Sequence, residues 1–160
     1  MGDSLKGKTA IVTGSGQGTG RGTGAGGGEN LSNSVIFPRG EEYKGFSNKA
    51  YLNMILGSGH PSKCSIGNVT FGPGAHNSWH RHFGYQVLMV TGGEGYYQER
   101  GNPVQRIKAG DVVISEPGVK HWHGAVHDHW FVHIGMILNE ERPTEGLEEL
   151  TEEEYRNITD

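Results

Sequence analysis

From residue 34 onward, short apolar stretches alternate with turn-forming residues. The stretches are Val35–Phe37, Tyr51–Leu56, Cys64–Phe71, Ser78–His82, Tyr85–Thr91, Gly95–Arg100, Gln105–Ile107, Val112–Ser115, His121–Val126 and Trp130–Leu138. Between them lie Gly57-Ser58-Gly59, Gly72-Pro73-Gly74, Gly92-Gly93, Gly101-Asn102-Pro103 and Glu116-Pro117-Gly118. Many short strands punctuated by regular turn signals predict an all-β sandwich or barrel. Tyr96-Tyr97-Gln98 and Val104-Gln105-Arg106 flank Gly101-Asn102-Pro103 and predict a hairpin.

The two ends of the chain follow other patterns. The last stretch, residues 139–160, holds nine of the 18 Asp and Glu. Thr151-Glu152-Glu153-Glu154 has the form of a capping box, which predicts a short helix from about Glu152. Leu147, Leu150, Tyr155 and Ile158 are its candidate contacts with the barrel. At the other end, Lys8–Gly14 reads as a buried strand running into a glycine-rich turn. Gly14-Ser15-Gly16-Gln17-Gly18-Thr19-Gly20-Arg21-Gly22 is similar to the opening of short-chain dehydrogenases, whose turn cradles a dinucleotide. Such a turn needs a following helix to supply phosphate-binding amides. Here Gly22-Thr23-Gly24-Ala25-Gly26-Gly27-Gly28 follows, and each glycine costs a helix about 1 kcal/mol relative to alanine. No Tyr-x-x-x-Lys pair occurs, and the alternating βα pattern of a doubly wound sheet is missing. The expected organisation is therefore an irregular glycine-rich leader without function of its own (1–29), a β-barrel (30–140) and an acidic tail with a short helix (141–160), with no NAD(P).

Composition narrows the partners. The chain has 160 residues and a formal charge of −4, so it fits one domain with tails and no basic stripe for nucleic acid. No apolar run approaches the roughly 20 residues of a membrane-spanning helix, and the N-terminal residues lack a signal-peptide pattern. Cys64 stands alone, which excludes an internal disulfide and suits a reducing cytoplasm. Cytoplasmic location is the expectation.

Histidine changes the picture most. Of nine His, eight lie between His76 and His133. Within them is His80-x-His82-x-x-x-Gln86, followed by His121. Side chains alternate faces along a strand, so His80 and His82 point the same way. Imidazole suits divalent metals from manganese to zinc, and a carboxamide oxygen adds a neutral ligand. His80, His82, Gln86 and His121 are the candidate metal ligands. His123 and His133 are candidate acid/base groups: His123 shares a strand face with His121, and His133 lies in the apolar run Phe131–Ile134. Trp79 and Trp122, alternating with the histidines, are expected to face away from the metal. Val69, Phe71, Leu88 and Met136 are candidate apolar walls. His60 and His76 flank turns and are expected at the surface, as are His127 and His129.

Gly74-x5-His80-x-His82-x3-Gln86-x6-Gly93 resembles the first cupin motif, with Gln86 where many cupins carry Glu. The run Gly110–His121 resembles the second, with Glu116 in place of the usual Pro and Pro117 following. The resemblance spans about residues 34–140 and implies a jelly-roll β-barrel. His121-Trp122-His123-Gly124-Ala125 and the acidic end are similar to small cupins associated with carboxymuconolactone decarboxylases, a neighbourhood that includes cupin-type hydroxynitrile lyases. Those lyases hold manganese or another divalent ion with three His and one Gln. By position they match His80, His82, Gln86 and His121, with His133 as a pocket histidine. The resemblance implies one divalent ion per chain, with manganese first and iron, nickel or zinc as alternatives. A homodimer is expected.

Gln86 sets the charge. Three imidazoles and a carboxamide leave a divalent site at its full +2, whereas Glu would reduce it to +1. A more positive centre is a stronger Lewis acid and holds anionic groups better. The expected function is a metal-dependent lyase or isomerase acting on a small polar or carbonyl-containing molecule, with hydroxynitrile-lyase-type activity as the most concrete version. Two alternatives remain open at this point: a non-catalytic metal- and ligand-binding module, and an iron-dependent dioxygenase.

Overall fold

The computed structural model describes residues 10–12, 30–33 and 36–159. Along them run β1 (Ala10–Val12), β2 (Glu41–Glu42), β3 (Ala50–Leu56), β4 (Cys64–Phe71), β5 (His80–Arg81), β6 (Tyr85–Glu99), β7 (Gln105–Lys108), β8 (Val112–Ser115), β9 (His121–Ala125), β10 (Phe131–Leu138), β11 (Glu145–Gly146) and the helix α1 (Glu152–Arg156). The architecture is an all-β jelly-roll barrel with one short C-terminal helix.

All strand pairs are antiparallel and fall into two sheets. The first runs β1-β8-β6-β10-β4-β3-β2, and the second runs β7-β6-β9-β5-β11. The strand shared by both is β6. Its first half, Tyr85–Thr91, alternates exposure with period two and turns Gln86, Leu88 and Val90 inward. Pattern reading places a turn at Gly92-Gly93. The structure instead carries β6 straight through as one bent strand. Gly93 has φ +69°, a β-side chain there would strike the Trp130 carbonyl, and the register with β10 shifts between Val132 and His133. A bulge of this kind lets one strand turn a barrel corner.

Two other expectations are corrected. Ile36 and Phe37 form a bend and no strand; Val35 lies outside the described residues. The strand before β3 is instead Glu41–Glu42, too polar to stand out in a hydrophobic pattern. At the N-terminus, Ala10–Val12 pairs with Val112–Ile114 of β8. The rest of the Lys8–Gly14 strand and the glycine run up to residue 29 lie outside the described residues.

Two packed clusters stabilise the barrel. The inner one includes Phe71, Leu88, Val90, Tyr97, Ile107 and Phe131. The outer one joins Trp79, Tyr96, Trp122, Val126, Leu150 and Tyr155, with Leu147 and Ile158 against it. Burying each such side chain contributes roughly 1.5–3 kcal/mol. The outer cluster seats α1 as the sequence predicts. Thr151 caps the helix in a full capping box with Glu154, and the Tyr155 hydroxyl donates to the Ala125 carbonyl at 2.7 Å. Among the described residues no helix is long and apolar enough to cross a membrane.

Candidate metal centre

The ligand set begins with two strands laid side by side. His80 on β5 is the antiparallel partner of His121 on β9, so the two imidazoles leave opposed positions of one sheet. Their ring centroids are 4.4 Å apart. His82 lies one residue beyond the end of β5, and its ring is 5.0 Å from His80 and 5.6 Å from His121. One ligand nitrogen from each of the three falls within 4.8 Å of the others. Gln86 arrives from the inward face of β6, on the opposite sheet, and its carboxamide Nε2 donates to His82 Nε2 at 2.9 Å; turning the amide over exchanges Nε2 for Oε1 at this position. Adjacent ligands on one ion at about 2.1 Å sit about 3 Å apart, so with the amide turned over Oε1 and His82 Nε2 take the spacing of shared coordination.

The outward nitrogens are already occupied. His80 Nδ1 bonds the Ser78 carbonyl at 2.8 Å, and His121 Nδ1 bonds the Val119 carbonyl at 2.9 Å. Each uses the carbonyl two residues upstream. His82 Nδ1 bonds Thr144 Oγ1 at 2.8 Å. With the Nδ1 positions donating, the lone pairs fall on Nε2, which is the tautomer a metal ligand needs. His121 Nε2 and Gln86 Oε1 are both buried without a protein partner. Buried acceptors left unpaired cost about 1–3 kcal/mol each, and a cation at the centre satisfies them.

Electrostatics agree with the donor chemistry. Burial pushes His82 down to about 3, with His80 adding to the effect. His121 lies well below the ordinary imidazole range for the same two reasons, and burial also lowers His80. All three are therefore neutral at pH 7, as ligands must be. The 3.5 Å approach of Glu140 to His82 Nδ1 is accordingly a contact with a neutral ring and not an ion pair.

A cavity of about 540 Å³ opens above these residues. Phe46, Leu52, Val69 and Ile137 line its apolar side, and His123 and His133 line it beside the ligands. His133, on β10, is fully buried, stacks on Phe71 at 5.9 Å and packs at a tilt against Phe131 at 5.0 Å. Its Nδ1 has no partner, and burial alone pushes its pKa down to about 3. His123 is 5.0 Å from His133 and 5.6 Å from His80, ring to ring. Burial, then His133, holds it well below the ordinary range.

Of the expected apolar walls, Val69 lines the cavity, while Phe71 and Leu88 lie behind it in the inner core. Trp122 packs in the outer cluster, where its indole donates to Gln98 Oε1 at 2.7 Å. Trp79 packs there too but also reaches the cavity wall. His76 is the clear correction. It is buried between Trp122 and Tyr155, and not at the surface.

Two contributors carry no sequence signal. Asn77 lies in the loop before β5, yet its Oδ1 accepts from the His123 amide at 2.9 Å and its Nδ2 is 3.1 Å from His123 Nε2. Its own amide donates to the His123 carbonyl. Thr144, in the acidic tail, meets His82 across 62 residues. Nothing local in either segment announces these contacts; only the pairing of distant strands creates them.

Comparison with known proteins agrees with this geometry. Residues 67–133 match the cupin domain family. The chain is 35% identical to an (R)-mandelonitrile lyase of Granulicella tundricola over 112 residues, which is 69% of this chain and 86% of that protein. It superposes on the crystal structure of a cupin-like protein from Thermotoga maritima with a TM-score of 0.76 and 41% identity, covering 79% of this chain and 98% of the other. A DMSP lyase of Ruegeria pomeroyi shares the fold at a TM-score of 0.53 and 20% identity, over 59% of this chain and 50% of that one. Two spaced motifs, a jelly-roll barrel and three histidines able to hold a metal ion inside it come together in one statement: this chain belongs to the cupin family.

Proposed function

We propose that this protein is a metal-dependent lyase that cleaves and forms cyanohydrins of small apolar carbonyl compounds, with manganese held by His80, His82, Gln86 and His121. The observation that carries the reading is the convergence of three neutral, pre-oriented imidazoles, with the Gln86 carboxamide against His82 and two further buried histidines beside them. The likeness to an (R)-mandelonitrile lyase supports the substrate class. When bound, the divalent ion supplies positive charge without proton exchange, undiminished by any anionic ligand.

The chain's own residues supply the rest. The apolar side formed by Phe46, Leu52, Val69 and Ile137 takes the hydrocarbon part of the substrate and excludes water. His133 accepts the hydroxyl proton as the carbon–carbon bond breaks. The oxygen's electron pair forms the carbonyl, and cyanide leaves with the pair of the broken bond. The proton then passes to cyanide, so aldehyde and hydrogen cyanide are the products. An imidazole pushed down to about 3 by burial alone is a weak base at rest. It gains basicity only as an anion forms beside it, because the ion pair offsets the desolvation that lowers it. Asn77 fixes His123 so that this ring orients the departing fragment and does not compete for the proton. The exposed Met54 and Ile55 on β3 support a homodimer, which light scattering tests.

The test is turnover of an aromatic cyanohydrin by protein loaded with manganese, with and without oxygen. The reading expects aldehyde and cyanide in equal amounts, loss of activity on chelation and no oxygen dependence. Tight binding of carbonyl compounds without product would identify a binding module instead. Activity that vanishes anaerobically would identify an oxygenase.

A further inference from the structure

His82 differs from the other two histidine ligands in what holds it. His80 and His121 are oriented by carbonyls of their own backbone, two residues upstream. His82 lies beyond the end of β5 and is held by a side chain from the C-terminal strap. Its Nδ1 donates to Thr144 Oγ1 at 2.8 Å, and the Thr144 hydroxyl donates onward to Glu140 Oε1 at 3.2 Å. A hydroxyl can accept one proton and donate another, so the chain His82–Thr144–Glu140 has a single consistent direction.

The fold places this strap firmly. The chain leaves β10 at Asn139 in the left-handed conformation, φ +55°, and the Asn139 amide donates to the Lys63 carbonyl. Gly84 allows the turn: a β-carbon there would collide with the backbone of Leu138 and Glu140. Downstream, Glu145 and Gly146 pair with Arg81 and His80, and Arg81 Nε bonds Glu145 at 2.7 Å. The Leu147 amide then donates to the Trp79 carbonyl, and the Trp79 amide to the Glu148 carbonyl. Thr144 is thus pinned from both sides above His82. The Glu140 side chain is only 14% exposed, although it belongs to an acidic tail whose other carboxylates mostly face solvent.

We propose that Thr144 and Glu140 are positioning residues for the metal centre. Their relay fixes the Nδ1–H tautomer of His82, aims its Nε2 inward and raises its strength as a donor, so the C-terminal strap sets how tightly the ion is held. The inference rests on the reading of His80, His82, Gln86 and His121 as metal ligands. Partners of this kind change metal affinity by about 10–100-fold in general.

The experiment titrates metal-free wild type, Thr144→Val, Thr144→Ser and Glu140→Gln with cobalt(II), read by its visible absorption. Nitrogen-15 spectra of labelled histidine in the metal-free proteins follow the His82 tautomer. Thr144→Val is expected to loosen cobalt about 10–100-fold and to lose the Nδ1–H preference of His82. Thr144→Ser, which keeps the hydroxyl, restores both, and Glu140→Gln falls between. Should Thr144→Val fail to fold, Glu140→Gln reads the same relay from its far end. If wild type binds cobalt and both Thr144→Val and Glu140→Gln bind it within twofold, the relay is overturned while the ligand set stands. If wild type binds no cobalt, the ligand set fails and takes the relay with it.

Discussion

The barrel interior and the seat of α1 both bury histidine among aromatic rings, yet only one has the makings of a chemical site. Under α1, His76 lies between Trp122 and Tyr155, 4.7 Å from the Tyr155 ring centroid, and its Nε2 meets no protein partner. In the interior, His80, His82 and His121 are also buried, but their outward nitrogens are tied down and one nitrogen from each lies within 4.8 Å of the others. Burial lowers His76 just as it lowers the ligands. Neither burial nor a depressed pKa therefore marks a metal site. Convergence of several ring nitrogens does, and in this fold it comes from opposing β5 to β9 and turning Gln86 inward on β6.

The contrast can be broken most forcefully at His121. His121→Ala is expected to abolish stoichiometric metal binding, an effect larger than the roughly 10–100-fold of an outer partner. Elemental analysis checks it, and full metal content in the variant would remove His121 from the ligand set. Next in size is His133→Ala. It should retain metal yet lose about 10²–10⁴-fold in kcat on a cyanohydrin, the usual contribution of one proton-transfer group. Unchanged turnover would take His133 out of the mechanism.

A third expectation concerns acid. His82 and His133 are pushed down to about 3, whereas in the unfolded chain they titrate near 6.5. Between those values the unfolded chain binds more protons than the fold, so stability rises with pH. The contribution is complete above about 6.5 and is lost as pH falls toward 3, at up to about 1.4 kcal/mol per pH unit for each histidine. Urea midpoints of metal-free protein should fall steadily from pH 6.5 to 4.5, and a flat profile would contradict the burial of neutral rings. The smallest effect belongs to His76→Phe. A ring of similar volume should leave metal content and turnover within about twofold and shift stability by less than about 1.5 kcal/mol. Loss of metal in that variant would erase the distinction between the two regions.

Period-two alternation and glycine turns made most strands legible, and the capping box at Thr151 located α1. The spacing of His80, His82 and Gln86 was legible because all three lie within seven residues of the sequence. What stayed hidden depends on contacts between distant segments. Asn77 and Thr144 act on histidines 46 and 62 residues away. Gly92-Gly93 reads as a turn because a bent strand and a hairpin both demand glycine. His76 reads as a surface residue because nothing near it shows that α1 will fold back over β9.

Anomalous diffraction from crystals grown with manganese tests the central claim most directly. The account predicts one strong peak at about 2.0–2.3 Å from Nε2 of His80, His82 and His121 and from Oε1 of Gln86. A fully active crystal with no peak among these four atoms would contradict it.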